Sequence, residues 1–173
     1  MSNRIPRTLA RLAIIVLFAS APAAFAQAIT DISIEGPATI NASDVSFIVT
    51  DTGTGKSSLI PKTLVDLGHR VVSSQPRRTA TINLAARVAE LRKEPLGTSV
   101  GYRVRGEKSG NDNVPLMYMT SYTLLLYILI HPTDLGYTHF VIDEFHERQP
   151  EVEVIIALLK LAKKTLNPNI KII

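Results

Sequence analysis

Two short segments hold the side chains whose types and spacing suit phosphate chemistry. The first is Asp51-Thr52-Gly53-Thr54-Gly55-Lys56-Ser57-Ser58. Gly53 and Gly55 let backbone N–H groups converge on a small anion, Lys56 can reach the terminal phosphates of a nucleotide, and the Ser57 hydroxyl can ligate Mg²⁺. The second, Asp143-Glu144-Phe145-His146-Glu147-Arg148, begins 87 residues beyond Lys56. An aspartate there could hold the ion that bridges β- and γ-phosphates, and a neighbouring glutamate could orient and deprotonate an attacking water. His146-Glu147 does not start a zinc-protease helix, because Pro150 stands where the second histidine would be.

These residues need elements that deliver them to one place. Val45 to Thr50 reads as a strand running into the glycine-rich loop, and Ser57 to Leu67 as a helix leaving it, bent at Pro61 and ended by Gly68. A second strand, Arg70 to Ser74, is followed by Gln75-Pro76-Arg77-Arg78 and a helix to Lys93 with Ala80, Leu84, Val88 and Leu91 on one stripe. Further strands are expected at Val100 to Arg105 and Leu116 to Met119, separated by a turn at Ser109 to Asn113. Thr120 or Ser121 can cap a helix carrying Leu124, Leu125, Ile128 and Leu129, closed by Pro132. His139 to Asp143 is a short apolar strand that brings Asp143 and Glu144 to its C-terminal tip, where open α/β sheets bind ligands. A helix from Pro150 to Lys164, buried through Val152, Ile155, Leu159 and Ala162, and a strand from Asn169 to Ile173 complete the series. Strands alternating with helices argue for an α/β fold with a mostly parallel sheet covered on both faces.

Composition narrows the classes further. A length of 173 residues with 46% apolar side chains suits one domain. Three of the 19 basic residues, Arg4, Arg7 and Arg11, lie in the first 26 positions, which hold no acid, so the remaining 16 face 15 acidic residues. Nucleic-acid affinity must then come from a local basic strip rather than from the field of the whole body. The lack of cysteine excludes disulfides, thiol catalysis and cysteine-ligated metal sites.

Residues 1–26 resemble a cleavable secretory signal: a basic start, an apolar run from Leu12 to Ala19 too short for a membrane span, and Ala24-Phe25-Ala26 before Gln27. The missing acids and spaced arginines also fit an organelle presequence, and a mis-assigned start codon is a third reading. Such a signal conflicts with ATP chemistry, which favours cytoplasm, nucleus or an organelle matrix, so localisation stays open. Residues 27–44 read as an irregular lead-in, and 45–173 as the folded domain.

Five segments in order carry a family resemblance: Thr52 to Ser58 with Ile60-Pro61, Gln75 to Arg78, Gly101-Tyr102-Arg103-Val104-Arg105, Tyr118-Met119-Thr120, and Ile142 to Arg148. Together they resemble the first RecA-like domain of a DEAH-box (DExH) superfamily 2 helicase, over about residues 45–173. Three positions depart from the family pattern: Thr50 for the first loop glycine, Phe145 for the usual alanine, and Ser121 where aspartate commonly follows the threonine.

The resemblance implies a three-layer P-loop NTPase fold and a division of roles. Thr52, Gly53, Thr54, Gly55, Lys56, Ser57 and Ser58 would hold the phosphates of ATP, with Ser57 and Asp143 on Mg²⁺. Lys56, Asp143, Glu144 as base and His146 would form the catalytic set, His146 coupling it to a neighbouring domain. Pro76, Arg77, Arg78 and Thr120 would grip the backbone of a single strand, RNA rather than DNA, without regard to sequence. The family's second RecA-like domain, with its arginine finger, is not among these residues. Arg77 and Arg78 also fit a solvated helix start, and Tyr102 fits the core. Two other readings of the whole remain: a non-catalytic nucleotide- or RNA-binding fragment, and an exported protein with a vestigial phosphate loop.

Overall fold

The computed structural model describes residues 55–145 and 149–173. The expected leader, lead-in and first strand, together with Thr50, Thr52, Gly53, Thr54, His146, Glu147 and Arg148, lie outside the described residues.

Strand β1 (Val71–Gln75) lies at the centre of the sheet, between β4 (Leu116–Thr120) and β5 (His139–Ile142). Beyond β4 come β2 (Val100–Val104) and β3 (Glu107–Ser109), and beyond β5 comes β6 (Lys171–Ile172), in the order β3-β2-β4-β1-β5-β6. All neighbours are parallel except β2 and β3. Every residue of β1 is buried, as a parallel strand covered on both faces requires.

Alternation along the strands divides the core. Val71, Leu116, Tyr118 and Val141 join a cluster with α1 (Lys56–Asp66) and α2 (Arg78–Leu91). Val72, Met117, Met119 and Phe140 face the other way, into the cluster of α3 (Ser121–Ile130) and α4 (Pro150–Thr165). This is the expected α/β architecture, three layers deep.

Local signals place most boundaries within a residue or two. Helix α1 ends where Gly68 N–H bonds Val65 O (2.9 Å) and His69 N–H bonds Leu64 O (3.1 Å), the paired closure of a Schellman turn. Helix α4 starts with Pro150 in its first turn and has Glu151 and Glu153 at its N-terminal end and Lys163 and Lys164 at the other, complementing the helix dipole.

The expectation for α2 needs correction. Its buried residues are Thr81, Ala85, Val88 and Ala89, while Leu91 is exposed, so the face is turned by one position from the expected stripe. Ile82 and Leu84 are only partly buried, packed at the margin of the same cluster. Strand β3 was also unforeseen. Three exposed or half-exposed residues have no apolar pattern, yet they pair with β2 because Gly101 admits them: a Cβ there would lie 2.4 Å from Ser109 O.

Candidate functional site

Gly55 adopts the left-handed conformation (φ 79°) as the residue before α1, which a side chain would strain. Its carbonyl accepts the N–H groups of Ser58 (3.1 Å) and Leu59 (2.8 Å) and the Ser58 hydroxyl (3.0 Å). Ser58 thus turns its hydroxyl back on the loop, while Lys56 and Ser57 open the helix, both half-buried. No acidic residue lies in this first turn, so the helix start favours an anion.

Helix α1 runs through Pro61 instead of ending there. Proline has no N–H, so the carbonyl four residues earlier, that of Ser57, loses its helical partner. The Tyr118 hydroxyl donates to that carbonyl at 2.8 Å. Tyr118 is fully buried in the middle of β4, and burial, then the nearby Asp143 charge, pushes its phenol well above the ordinary range. Strand β1 separates β4, which carries Tyr118, from β5, which ends at Asp143, so the acidic tip lies two strands from the Tyr118 contact with α1.

Asp143 is held from two sides. Its backbone N–H continues the sheet to Ser74 O (3.1 Å), one carboxylate oxygen accepts Gln75 Nε2–H (3.0 Å), and the other accepts the Glu144 N–H (2.9 Å). Asp143 shares strand parity with Val141, so it faces the α1 side of the sheet. Glu144 is exposed and left-handed (φ 53°), a conformation that costs a non-glycine residue about 1 kcal/mol and recurs at functional positions. Phe145 is half-buried against the α3–α4 core, so the substitution for alanine anchors the end of this turn.

A hydroxyl and a carboxylate on this edge fit Mg²⁺, a hard cation that takes one or two protein oxygens and completes its shell with water and phosphate.

The residues expected on a nucleic-acid strand also meet at this edge. Gln75 and Thr120 are register partners at the ends of β1 and β4, and Pro76 and Arg77 follow Gln75 in the chain before α2 begins. Thr120 precedes α3 as its cap residue, but its hydroxyl bonds the Thr123 hydroxyl (2.7 Å) instead of a backbone N–H. Ser121, at the departure from aspartate, is buried and bonds Ser74 Oγ (3.2 Å). Arg77 is exposed ahead of α2. Arg78 donates to Arg105 O (2.7 Å) and pairs with the Glu107 carboxylate, so it braces the β2–β3 hairpin while staying half exposed. Tyr102 fills core, as expected, and its hydroxyl bonds Glu107, which raises its pKa.

Two residues of the site went unassigned from sequence, Gln75 and Tyr118. Gln75 had no signal beyond its place at the head of the Gln75 to Arg78 segment. For Tyr118 the signal was Pro61, which announces an orphan carbonyl at Ser57 and hence an external donor.

No protein-family model matches the chain. Individual relatives do. It is 37% identical over 134 residues to the probable ATP-dependent RNA helicase DHX40 of Homo sapiens, which covers 74% of this chain and 17% of that protein. It is 33% identical over 128 residues to the probable ATP-dependent RNA helicase spindle-E of Culex quinquefasciatus, covering 70% of this chain and 9% of that protein. Among solved structures, the DEAH/RHA helicase HrpB of Escherichia coli superposes with a TM-score of 0.67 at 33% identity, over 71% of this chain and 16% of that one. The chain spans less than a fifth of the length of the relatives it matches. On sequence and fold together, the chain belongs to the DEAH-box (DExH) helicases, as an α/β segment of that family.

Proposed function

We propose that this chain is the ATP-binding and hydrolysing part of a helicase that grips a single strand of RNA. The observation that supports the reading is that Tyr118 on β4 holds Ser57 O at the start of α1, while Asp143, at the tip of β5, is held by Gln75 at the end of β1. Gly55, Lys56, Ser57 and Ser58 would cradle the phosphates, with Thr52, Gly53 and Thr54 completing the loop. Ser57 and Asp143 would share Mg²⁺, which when bound neutralises charge developing on the β- and γ-phosphates. Lys56 would steady the terminal phosphates, and Glu144 would take the proton of the attacking water. His146 would link this centre to a neighbouring domain. Pro76, Arg77, Arg78 and Thr120 would hold the sugar-phosphate backbone, in contacts that weaken with salt.

The family's arginine finger lies on its second RecA-like domain, and such a finger contributes about 10³ to 10⁵ in turnover in related phosphoryl-transfer enzymes. The 173-residue chain alone is therefore expected to hydrolyse ATP slowly and not to unwind duplexes. Phosphate release measured with and without Glu144→Gln tests the reading. The variant should keep Mg-ATP bound and lose at least about 10²-fold in release. Equal phosphate release from the two forms would reduce the chain to a nucleotide- or RNA-binding module.

A further inference from the structure

Pro61 and Tyr118 solve one problem from two sides. The proline removes the helical donor for Ser57 O, in the turn that also carries Lys56. The phenol of a fully buried tyrosine needs a hydrogen-bond partner of its own. Their meeting at 2.8 Å leaves neither group unsatisfied. Tyr118 cannot easily move away: its backbone is fixed in the sheet as register partner of Ser73 on one side and Tyr102 on the other. Two residues further on, the same strand ends at Thr120.

We propose that Tyr118 is a positioning residue. Its hydroxyl fixes the first turn of α1, with Lys56 and Ser57, to β4, and so connects the nucleotide site mechanically to the strand end that carries Thr120. An ordinary helix bond to Ser57 O would hold that turn only to its own helix. With proline at 61 it is held to the sheet, and a shift of Lys56 and Ser57 as they close on phosphate is passed to β4. This rests on the nucleotide-binding reading above and adds the route by which the two ligands influence each other.

The test uses the full chain and three variants: Tyr118→Phe, Pro61→Ala, and the two combined. Mg-ATP affinity is measured by calorimetry, and affinity for a labelled single-stranded oligouridine by anisotropy with and without Mg-ATP. Tyr118→Phe takes the phenolic donor from the half-buried Ser57 carbonyl and should weaken Mg-ATP by about 5- to 50-fold and abolish its effect on oligouridine binding. Pro61→Ala supplies a helical N–H to Ser57 O, so the combined variant should recover Mg-ATP affinity to within about 3-fold of the parent while the effect on oligouridine stays lost. If Tyr118→Phe does not fold, the combined variant alone carries the test, since its restored helix bond should let it fold and bind. Unchanged Mg-ATP affinity in folded Tyr118→Phe, or a combined variant no better than Tyr118→Phe, would overturn the proposal. Lys56→Ala separates the two levels: if it binds Mg-ATP as well as the parent, the nucleotide reading fails, whatever Tyr118 does.

Discussion

At the N-terminal ends of the strands, the guanidinium of Arg70 donates to the carbonyls of Gly136, Asn113 and Asp112 and lies 5.1 Å from the Tyr137 ring centre. Tyr137 and Tyr127 bond the Asp112 and Leu135 carbonyls and meet edge to face, and burial pushes the Tyr137 phenol up to about 12. At the C-terminal ends the polar groups are arranged differently. Asp143 is held by Gln75, Glu144 sits exposed in a strained conformation, and Thr120 and Gln75 stand side by side at adjacent strand ends. The first end directs its polar groups at backbone and closes loops. The second holds side chains in place at the rim, with strain at the residue expected to act as base.

A cleft of about 570 Å³, lined by Arg70, Asn113, Asp134, Tyr137 and Leu166 among others, opens at the first end. Its size does not make it the reactive site. Its one guanidinium is already directed at three carbonyls, while the phosphate-loop helix and the acidic turn lie at the other end.

Breaking the closed end should affect stability alone. Arg70→Ala removes the donor to three carbonyls at once and should cost about 1–3 kcal/mol in urea unfolding, with Mg-ATP affinity unchanged. A matching loss of nucleotide affinity would show that the two ends are not separable. At the other end, Glu144→Gly relieves the left-handed backbone. It should raise stability by up to about 1 kcal/mol while abolishing phosphate release, a gain in one quantity at the expense of the other. If stability fell, the strain would not be local to that residue.

The smallest expected effect concerns pH. His139 stacks on His69 at 4.2 Å, and burial, then His69 and Lys171, lowers its proton affinity. The unfolded chain therefore binds that proton more tightly. The stabilisation is complete above about pH 6.5, the unperturbed value, and falls as pH drops towards the lowered folded value. Unfolding measured between pH 5 and 8 should show this slope, and His139→Asn should flatten it; an unaltered slope would assign it to other groups.

The order of elements towards the C-terminus and the start of α1 near Lys56 were legible before any fold was known. An apolar strand ending in two acids has few places to go in a parallel sheet other than the ligand edge, and a Gly-Lys-Ser turn between strand and helix has few functions other than holding an anion. The hairpin of β2 and β3 was not legible, because its pairing depends on a close approach at Gly101 rather than on a hydrophobic pattern. The face of α2 lies one position from the expected stripe because periodicity ranks leucine above alanine and threonine, whereas Thr81, Ala85 and Ala89 are the residues buried. Tyr118 could not be read as part of the site from β4 alone. Its role depends on a proline 57 residues earlier.

The most direct measurement is a calorimetric titration of Mg-ATP into the parent chain, Lys56→Ala, Asp143→Asn and the double variant. If both side chains grip one ligand, each single change should weaken binding by roughly 10-fold or more, and the double change should cost clearly less than the two combined, a coupling of about 1 kcal/mol or above. Strictly independent effects, or no uptake of Mg-ATP by the parent chain, would contradict the account.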